Sequence, residues 1–284
     1  MKGIPYEVFP DNPALEGLAQ MQPPVRYSEA HGDCLLYLIT PWRAPDAAPI
    51  RRPLIVFVQG SGWQHPNPWF ELPQLSMYAQ AGYVVASVAH RSALDGFPFP
   101  AYLQDVKTAI RYLRAYADEL SIDPARVCVW GTSSGGNTAL LVGVTANDAR
   151  YETEEYAGVD DGAQLIIDFF GPANLPKMAG LVHESRSNES LLGALAGSRD
   201  PMEVAVEMSP VSHLKPDTAY PPMLLVHGDA DPVVDFSQSE EMHEKLLALG
   251  QKSTLIRVTN AVHEGNTWSR ALHARVRRFI DENL

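Results

Sequence analysis

The sequence contains few cysteines, few basic residues and no long apolar run. Its two cysteines, Cys34 and Cys128, lie inside apolar stretches, where reduced core residues are commoner than disulfides. Its 22 Lys and Arg residues are outnumbered by 34 Asp and Glu residues, and the resulting net charge of −12 repels phosphate backbones and anionic membrane surfaces. No stretch approaches the roughly 18 apolar residues of a membrane span. These deficits argue against nucleic acid and membranes as partners.

Patterns for metal binding and for secretion are also missing. The sequence has no Cys-x-x-Cys pair and no His-Glu-x-x-His arrangement, so we expect no metal site. The first twenty residues, MKGIPYEVFPDNPALEGLAQ, lack the apolar core of a secretory signal. We therefore expect a cytoplasmic protein, or a secreted or periplasmic one if a leader peptide has been removed. The oligomeric state stays open.

Apolar runs rich in β-branched and aromatic residues alternate with amphipathic segments along the 284 residues. The runs predict strands at 34–40, 54–60, 83–90, 126–131, 165–171, 223–228 and 253–259. Helical spacing predicts helices over 102–120, 137–146 and 242–249. Because strand and helix alternate, we expect one α/β domain over 1–284, with a mostly parallel sheet covered by helices on both faces. Residues 172–222, rich in Pro and Ser, are predicted to be a small cap insertion.

The stretch VWGTSSGGN (129–137) joins a predicted strand to the helix that follows. Gly131-x-Ser133-x-Gly135 has the spacing of a nucleophile elbow, a sharp strand-to-helix turn that lifts the serine hydroxyl clear of the backbone. Ser134 lacks that glycine frame, so Ser133 is the predicted nucleophile and the backbone N–H of Ser134 is a predicted oxyanion donor. The alternatives are a plain glycine-rich turn or a phosphate-binding loop. No lysine follows the glycines, which disfavours the phosphate loop.

A serine hydroxyl needs a base and an orienting acid, and an elbow enzyme supplies them in the chain order Ser, Asp, His. Asp231 follows the strand at 223–228, at the sheet edge where Ser133 is expected, and is the predicted acid. Asp229 directly follows a glycine and is expected to hold the turn, whereas Asp235 is expected to cap a helix. Asp168, at the preceding strand, is the remaining alternative.

The predicted base is His263, in the sequence NAVHEG. Among the nine histidines it alone lies in a short polar loop between the last predicted strand and the last helix. A satisfied surface histidine is the ordinary alternative. His227, at the end of the strand 223–228, is expected to be structural.

The loop FVQGSGWQHPNPW (57–69) follows an early strand, where the second half of an oxyanion hole is expected. Its small residues would let backbone N–H groups approach a carbonyl oxygen. The alternative is an ordinary glycine turn beside a buried tryptophan.

Together these stretches resemble the α/β-hydrolase superfamily, and within it the esterases related to hormone-sensitive lipase and to bacterial feruloyl and acetylxylan esterases. The resemblance runs from the oxyanion loop through 101–141 and 224–250 to NAVHEG. Relatives usually carry His-Gly-Gly-Gly-Trp in the oxyanion loop, whereas this sequence has QGSGW (59–63). The match implies that the main-chain donors are Ser61, Gly62 and Ser134, and that Ser61 adds a side chain near the acyl site.

The resemblance implies a serine carboxylic-ester hydrolase of the α/β-hydrolase fold, working through an acyl-enzyme without a cofactor. We expect small-molecule or carbohydrate esters with short or aromatic acyl groups, including acetyl and feruloyl groups. One alternative is an amide hydrolase of the arylformamidase or peptidase kind on the same triad. Another is a non-catalytic, ligand-sensing protein of the same fold.

Aromatic residues near the oxyanion loop are candidates for binding the substrate. Trp63, Trp69 and Phe97 are the predicted contacts, and the alternative is that such rings only pack the loops. Within the cap, four apolar residues are candidates to face the acyl chain: Met178, Leu181, Leu191 and Leu192.

Overall fold

The computed structural model describes residues 7–44, 48–178 and 190–284, which contain one nine-stranded sheet. The strands are β1 (Ala19–Met21), β2 (Val25–Arg26), β3 (Leu35–Pro41), β4 (Arg52–Val58), β5 (Val84–Val88), β6 (Ile122–Thr132), β7 (Leu165–Phe169), β8 (Met223–Gly228) and β9 (Ser253–Val258). Their order across the sheet is β1-β3-β5-β4-β6-β7-β8-β9, and β2 pairs with β3.

Six of these strands run parallel, from β5 through β4, β6, β7 and β8 to β9. The mostly parallel sheet predicted from the sequence is thereby confirmed. Strands β1, β2 and β3 form an antiparallel extension at one side, and the pattern of apolar runs missed β1 and β2. The parallel strands carry their carboxyl ends to one edge, where ligands of such sheets bind.

The same described residues contain α1 (Leu72–Gln80), α2 (Ala101–Ala115), α3 (Ser134–Val144), α4 (Leu191–Ala196), α5 (Pro201–Glu207), α6 (Ser237–Ala248) and α7 (Arg270–Asn283). Short 3-10 helices lie at Ala93–Asp95, Ala149–Tyr151, Leu175–Lys177, Pro210–Ser212 and Gly265–Thr267. Helices α1 and α7 pack on one face of the sheet, and the other five helices contribute to the core on the opposite face.

Along each central strand, successive side chains alternate between the two cores, one on each face of the sheet. In β4, Leu54 and Val56 belong to the core beneath α2 and α3, whereas Ile55 and Phe57 belong to the core beneath α1 and α7. All four side chains are fully buried. Because both faces of the strand are covered, its sequence reads as a continuous apolar run rather than as an alternation.

Helix α3 begins earlier than the sequence predicts, at Ser134 instead of Asn137, so the helix starts directly after Ser133. Close backbone packing explains the glycines that obscured this boundary. A Cβ on Gly131 would lie 1.9 Å from the carbonyl oxygen of Gly135, and one on Gly135 would lie 2.0 Å from that of Val58. The first turn of α3 therefore lies against β4 and tolerates no side chain there.

The segment 172–222 contains α4 and α5 in its described part, on the side of the sheet covered by α2. The carbonyl of Leu195 in α4 accepts a hydrogen bond from the backbone N–H of Phe99 at 2.9 Å. This contact ties α4 to the loop that precedes α2. Of the helices in 7–44, 48–178 and 190–284, none combines the length and the apolar character needed to span a bilayer.

Candidate active site

Ser133 occupies the sharp turn between β6 and α3 at the carboxyl edge of the sheet. Its backbone has φ 51° and ψ −121°, in the left-handed half of conformational space that L-residues seldom adopt. The turn is held because the N–H of Ser133 donates to the carbonyl of Phe169 at 2.8 Å, and the N–H of Asn137 donates to the carbonyl of Ser133 at 3.0 Å. The strained backbone lifts the hydroxyl away from the strand.

His263 lies between Ser133 and Asp231. Its Nε2 is 2.9 Å from Oγ of Ser133, and its Nδ1 is 2.7 Å from Oδ2 of Asp231. The ring of Phe170 packs edge-on against the imidazole, with 4.8 Å between ring centroids. A proton on Nδ1 donated to Asp231 leaves Nε2 with a lone pair toward the serine hydroxyl, which is the arrangement that general-base catalysis requires.

The carboxyl of Asp231 is completely buried behind the imidazole. The backbone N–H groups of Val233 and Val234 donate to its Oδ1 at 2.8 and 3.0 Å. Burial opposes ionisation of this carboxyl, but hydrogen bonds from His227 and His263, together with the two backbone N–H groups, outweigh it and hold the pKa well below its usual range. The surroundings of Asp231 therefore favour its ionised form.

Each of the three alternative acids accepts hydrogen bonds from groups other than His263. Asp229 accepts from Arg257 Nε at 2.8 Å and from the N–H of Asn260, which holds the turn after β8. Asp235 accepts from the N–H of Ser237 at 2.9 Å, at the start of α6. Asp168 is buried in β7 and accepts from the N–H of Gly171 at 2.9 Å. None of the three shares a hydrogen bond with His263.

The oxyanion loop lies against the elbow through hydroxyl groups on either side of Ser133. The N–H of Gly60 donates to Oγ1 of Thr132 at 2.9 Å, and the N–H of Ser61 donates to Oγ of Ser134 at 2.9 Å. In the described part of the chain, no protein acceptor lies within hydrogen-bond reach of the N–H of Gly62 or of Ser134. Two of the predicted oxyanion donors, the N–H groups of Gly62 and Ser134, are thus open. The third, the N–H of Ser61, already has an acceptor.

The side chains of Gln59 and Ser61 make hydrogen bonds within their own loop. The hydroxyl of Ser61 donates to the carbonyl of Gln64 at 2.8 Å, and Oε1 of Gln59 accepts from the N–H of Asn67 at 2.7 Å. Gln59 thus supports the loop. The Ser61 hydroxyl is bound to its own turn, so the expected effect of this side chain on the acyl site stays untested.

The predicted substrate contacts occupy different environments. Trp63 is 4% exposed and its Nε1 donates to Asn137 Oδ1 at 3.3 Å, so its indole packs beneath the loop. Trp69 is 51% exposed and meets Tyr37 edge-on. Phe97 is 36% exposed and lies against the guanidinium of Arg91. The buried position of Trp63 fits the alternative in which a ring only packs the loop.

The four apolar residues predicted to face the acyl chain also differ in their surroundings. Leu191 lies beside the oxyanion loop, 3.8 Å from the position a Cβ on Gly62 would take. Leu192 is fully buried and Met178 packs against the same core. Leu181 lies outside the described residues.

Sequence reasoning missed two features of this site. His227 brings Nε2 to 3.4 Å from Oδ2 of Asp231, although its position inside β8 indicated only a structural role. The hydroxyls of Thr132 and Ser134 contact the oxyanion loop, which no spacing rule reveals. A serine and a threonine directly beside the nucleophile were the available signal.

The sequence of this chain is similar to those of known esterases. The model of the BD-FAE family matches residues 43–246. Esterase LipC of Mycobacterium tuberculosis is 30% identical over 269 residues, covering 88% of this chain and 64% of LipC, and esterase LipQ of the same organism is 28% identical over 220 residues, covering 75% and 50%. The chain thus spans between half and two thirds of the length of these two relatives.

Solved structures resemble the fold over nearly the whole chain. A truncated carbohydrate esterase from gut microbiota superposes with a TM-score of 0.75 at 25% identity, covering 96% of this chain and 98% of its own. Esterase 2 of Thermogutta terrifontis with propionate bound gives a TM-score of 0.71 at 27% identity, covering 95% and 93%. These neighbours, with the sheet described above, confirm the predicted α/β-hydrolase fold.

Proposed function

The chain belongs to the BD-FAE family of α/β-hydrolase esterases, and from that premise we propose that it is a serine carboxylic-ester hydrolase. The observation that carries the proposal is the continuous hydrogen-bonded series from Ser133 through His263 to Asp231. Nucleophile, acid and base follow in the chain order of elbow enzymes, each shortly after the end of a parallel strand.

In the proposed mechanism, His263 takes the proton from Ser133 as Oγ attacks the ester carbonyl. The tetrahedral oxyanion accepts hydrogen bonds from the open N–H groups of Gly62 and Ser134, and the N-terminus of α3 adds favourable partial charge. His263 then gives its proton to the departing alcohol. Water attacks the acyl-enzyme by the same route in reverse and releases the acid.

Asp231 has an electrostatic and orienting role in this scheme. Its buried carboxylate fixes the Nδ1–H tautomer of His263 and stabilises the imidazolium that forms during attack. Because the carboxylate keeps its charge, it takes no proton itself. No metal or other cofactor is required for any step.

We further propose that the substrates carry short or planar acyl groups on a small or carbohydrate alcohol. The family membership supports this class, as do neighbours described as a carbohydrate esterase and as an esterase with propionate or butyrate bound. A long acyl chain needs a continuous apolar groove to offset its immobilisation. In the described part of the segment 172–222, helices α4 and α5 have only 6 and 7 residues, so neither is an extended lid helix.

A hydrolysis panel tests the proposal. It comprises p-nitrophenyl esters from acetate to decanoate, methyl ferulate, acetylated xylan, N-formylkynurenine and a dipeptide amide, with Ser133→Ala as the matched inactive control. We expect kcat/KM to fall from acetyl or butyryl to decanoyl, with release of acetate or ferulate from sugar esters. An optimum at ten or more acyl carbons would contradict the substrate class, and turnover of amides without esters would favour the amide hydrolase.

Labelling with a fluorophosphonate separates an enzyme from a ligand-sensing protein of the same fold. The probe reacts covalently with an activated serine, so we expect the wild type to be labelled at Ser133 and the Ser133→Ala variant to remain unlabelled. A wild-type protein that binds esters but takes no label would be a sensor.

A further inference from the structure

Two hydroxyl side chains flank the nucleophile and both accept hydrogen bonds from the oxyanion loop. Thr132 Oγ1 holds the N–H of Gly60, and Ser134 Oγ holds the N–H of the next residue, Ser61, each at 2.9 Å. Thr132 is fully buried and Ser134 is 3% exposed. Successive N–H groups of the loop are therefore fixed by the residues immediately before and after Ser133.

We propose that Thr132 and Ser134 are positioning residues that set the oxyanion loop in register with the nucleophile. The inference rests on the proposed esterase function, since an oxyanion hole has a purpose only in acyl transfer. It assigns the Ser134 side chain a role separate from that of its own backbone N–H. It also assigns the oxyanion to two donors, Gly62 and Ser134, because the Ser61 N–H is held by the Ser134 hydroxyl.

Because the oxyanion loop packs closely on the elbow, its position is sensitive to the hydrogen bonds that it makes to Thr132 and Ser134. A Cβ on Gly60 would lie 2.7 Å from the carbonyl oxygen of Thr132 and 2.8 Å from Cβ of Ser133, so the loop already touches the elbow. Oxyanion donors act only when they lie about 2.7–3.1 Å from the developing charge. The Gly62 N–H follows Ser61 directly, and a shift of Ser61 by a few tenths of an ångström moves that donor with it.

The loop has other restraints that limit how far it could move without these bonds. Trp63 Nε1 donates to Asn137 Oδ1, and the carbonyl of Trp63 accepts from the N–H of Ala93 at 3.0 Å. The far end of the loop therefore stays anchored to α3 and to the segment before α2. Loss of one hydroxyl is expected to misplace the donors while the fold is retained.

The test compares variants that delete a hydroxyl with variants that keep it. Ser134→Ala and Thr132→Val remove the acceptor, whereas Ser134→Thr and Thr132→Ser retain it. Ser76→Ala is the matched control, because the Ser76 hydroxyl donates to the carbonyl of Pro73 within the distant helix α1. Each variant is assayed for kcat and KM on p-nitrophenyl acetate and for inhibition by a trifluoromethyl ketone, whose hemiketal oxygen mimics the oxyanion.

We expect Ser134→Ala and Thr132→Val to lower kcat by about 10- to 100-fold with KM changed less than about 3-fold, and to weaken the trifluoromethyl ketone by a similar factor. Thr132→Ser adds no volume and should keep kcat within about 3-fold of the wild-type value. Ser134→Thr keeps the hydroxyl and should do the same where its extra methyl fits. A rise in kcat of Ser134→Ala would overturn the proposal, because it would mean that the hydroxyl competes with the oxyanion for Ser61. Equal losses in Thr132→Ser and Thr132→Val would also overturn it.

Hydrogen exchange supplies a readout that does not depend on turnover. Peptides covering 59–64 should exchange faster in Ser134→Ala and Thr132→Val than in the wild type, with no change in Thr132→Ser or Ser76→Ala. Unchanged exchange in both deletion variants would refute the positioning role. If the wild type neither hydrolyses esters nor takes the fluorophosphonate, the proposed function fails, whereas the exchange data still decide whether the hydroxyls fix the loop.

Discussion

Nε2 of His227 lies 3.4 Å from Oδ2 of Asp231, with both side chains completely buried. The same imidazole nitrogen is 2.9 Å from the carbonyl of Val234, and Nδ1 is 2.7 Å from the hydroxyl of Ser239 in α6. A second histidine therefore lies beside the same carboxylate oxygen that His263 contacts. The strand β8 thus contributes to the site beyond supplying the loop in which Asp231 lies.

Replacement of His227 by Gln should lower kcat about 10-fold with a smaller change in KM, because Asp231 loses the imidazole that packs 3.4 Å from its Oδ2. Steady-state kinetics on p-nitrophenyl acetate would measure the effect. His243→Gln is the matched control, since His243 in α6 bonds the Ser253 hydroxyl at the start of β9 and not Asp231. Equal activity of His227→Gln and wild type would show that His227 only fills the core.

The exchange of Asp231 for Asn should reduce kcat by up to about 10⁴-fold, because an amide no longer enforces the tautomer of His263. Asp229→Asn and Asp168→Asn are the controls, and both should retain most of the activity. Were Asp168→Asn the more damaging change, the acid would belong to β7 rather than to the loop after β8.

Ser133→Ala should lower kcat by about 10⁴-fold or more with near-normal thermal stability, since the residue supplies the nucleophile and little packing. Ser134→Ala should cost far less because its backbone N–H survives the change. Comparable losses in the two variants, measured with one ester at saturation, would contradict the assignment of the nucleophile.

Gly135→Ala should destabilise the fold by about 3 kcal/mol or more, because its Cβ would meet the carbonyl of Val58 at 2.0 Å and backbone cannot yield easily. Gly32→Ala is the control, since nothing lies within 4 Å of a Cβ placed there. Urea unfolding of the two variants gives the comparison. A Gly135→Ala protein as stable as Gly32→Ala would mean that α3 is not pressed against β4.

Glu71, directly before α1, predicts a pH dependence of stability. It is 1% exposed, and neither of its carboxyl oxygens has a hydrogen-bond partner among the described residues. Burial, reinforced by the nearby charge of Glu264, raises its pKa from 4.5 to about 8. The folded protein therefore keeps a proton that the unfolded chain releases across this interval. The free energy of unfolding should consequently fall as the pH rises from about 4.5 to about 8.

Glu71→Gln keeps the site neutral at every pH and should remove this slope, leaving the variant more stable than the wild type at pH 9. Melting temperatures from pH 5 to pH 9 would measure it, with the exposed Glu244→Gln as control. Asp168, whose pKa burial also raises, adds the same slope to all three proteins, so the difference reports Glu71. Parallel pH curves for wild type and Glu71→Gln would contradict the prediction.

Local pattern was enough to predict the sheet and the candidate acid, base and nucleophile. Gly131 and Gly135 indicated the elbow because backbone crowding there admits no Cβ, and the positions of Asp231 and His263 followed from the rule that parallel strands end at one edge. The roles of these side chains stay predictions, although the structure places them within hydrogen-bond distance of one another.

Features that depend on contacts between distant parts of the chain could not be predicted from the sequence. Strands β1 and β2 have only 3 and 2 residues, too few to display a periodicity. The bond between Ser61 and Ser134 depends on how closely a loop approaches an elbow 73 positions away. Burial of Glu71 depends on tertiary packing, which also brings the distant Glu264 near it, and its own sequence neighbourhood resembles an ordinary exposed helix start.

Ser133 and His263 are 130 positions apart in the chain, yet their side chains touch. Such a contact requires the parallel strands between the two residues to pair, so we expect it to form late in folding. Recovery of ester turnover during refolding would then lag behind recovery of the far-ultraviolet circular dichroism signal. The hydrogen bond between Ser133 and His263 would thus report on the docking of β8 and β9.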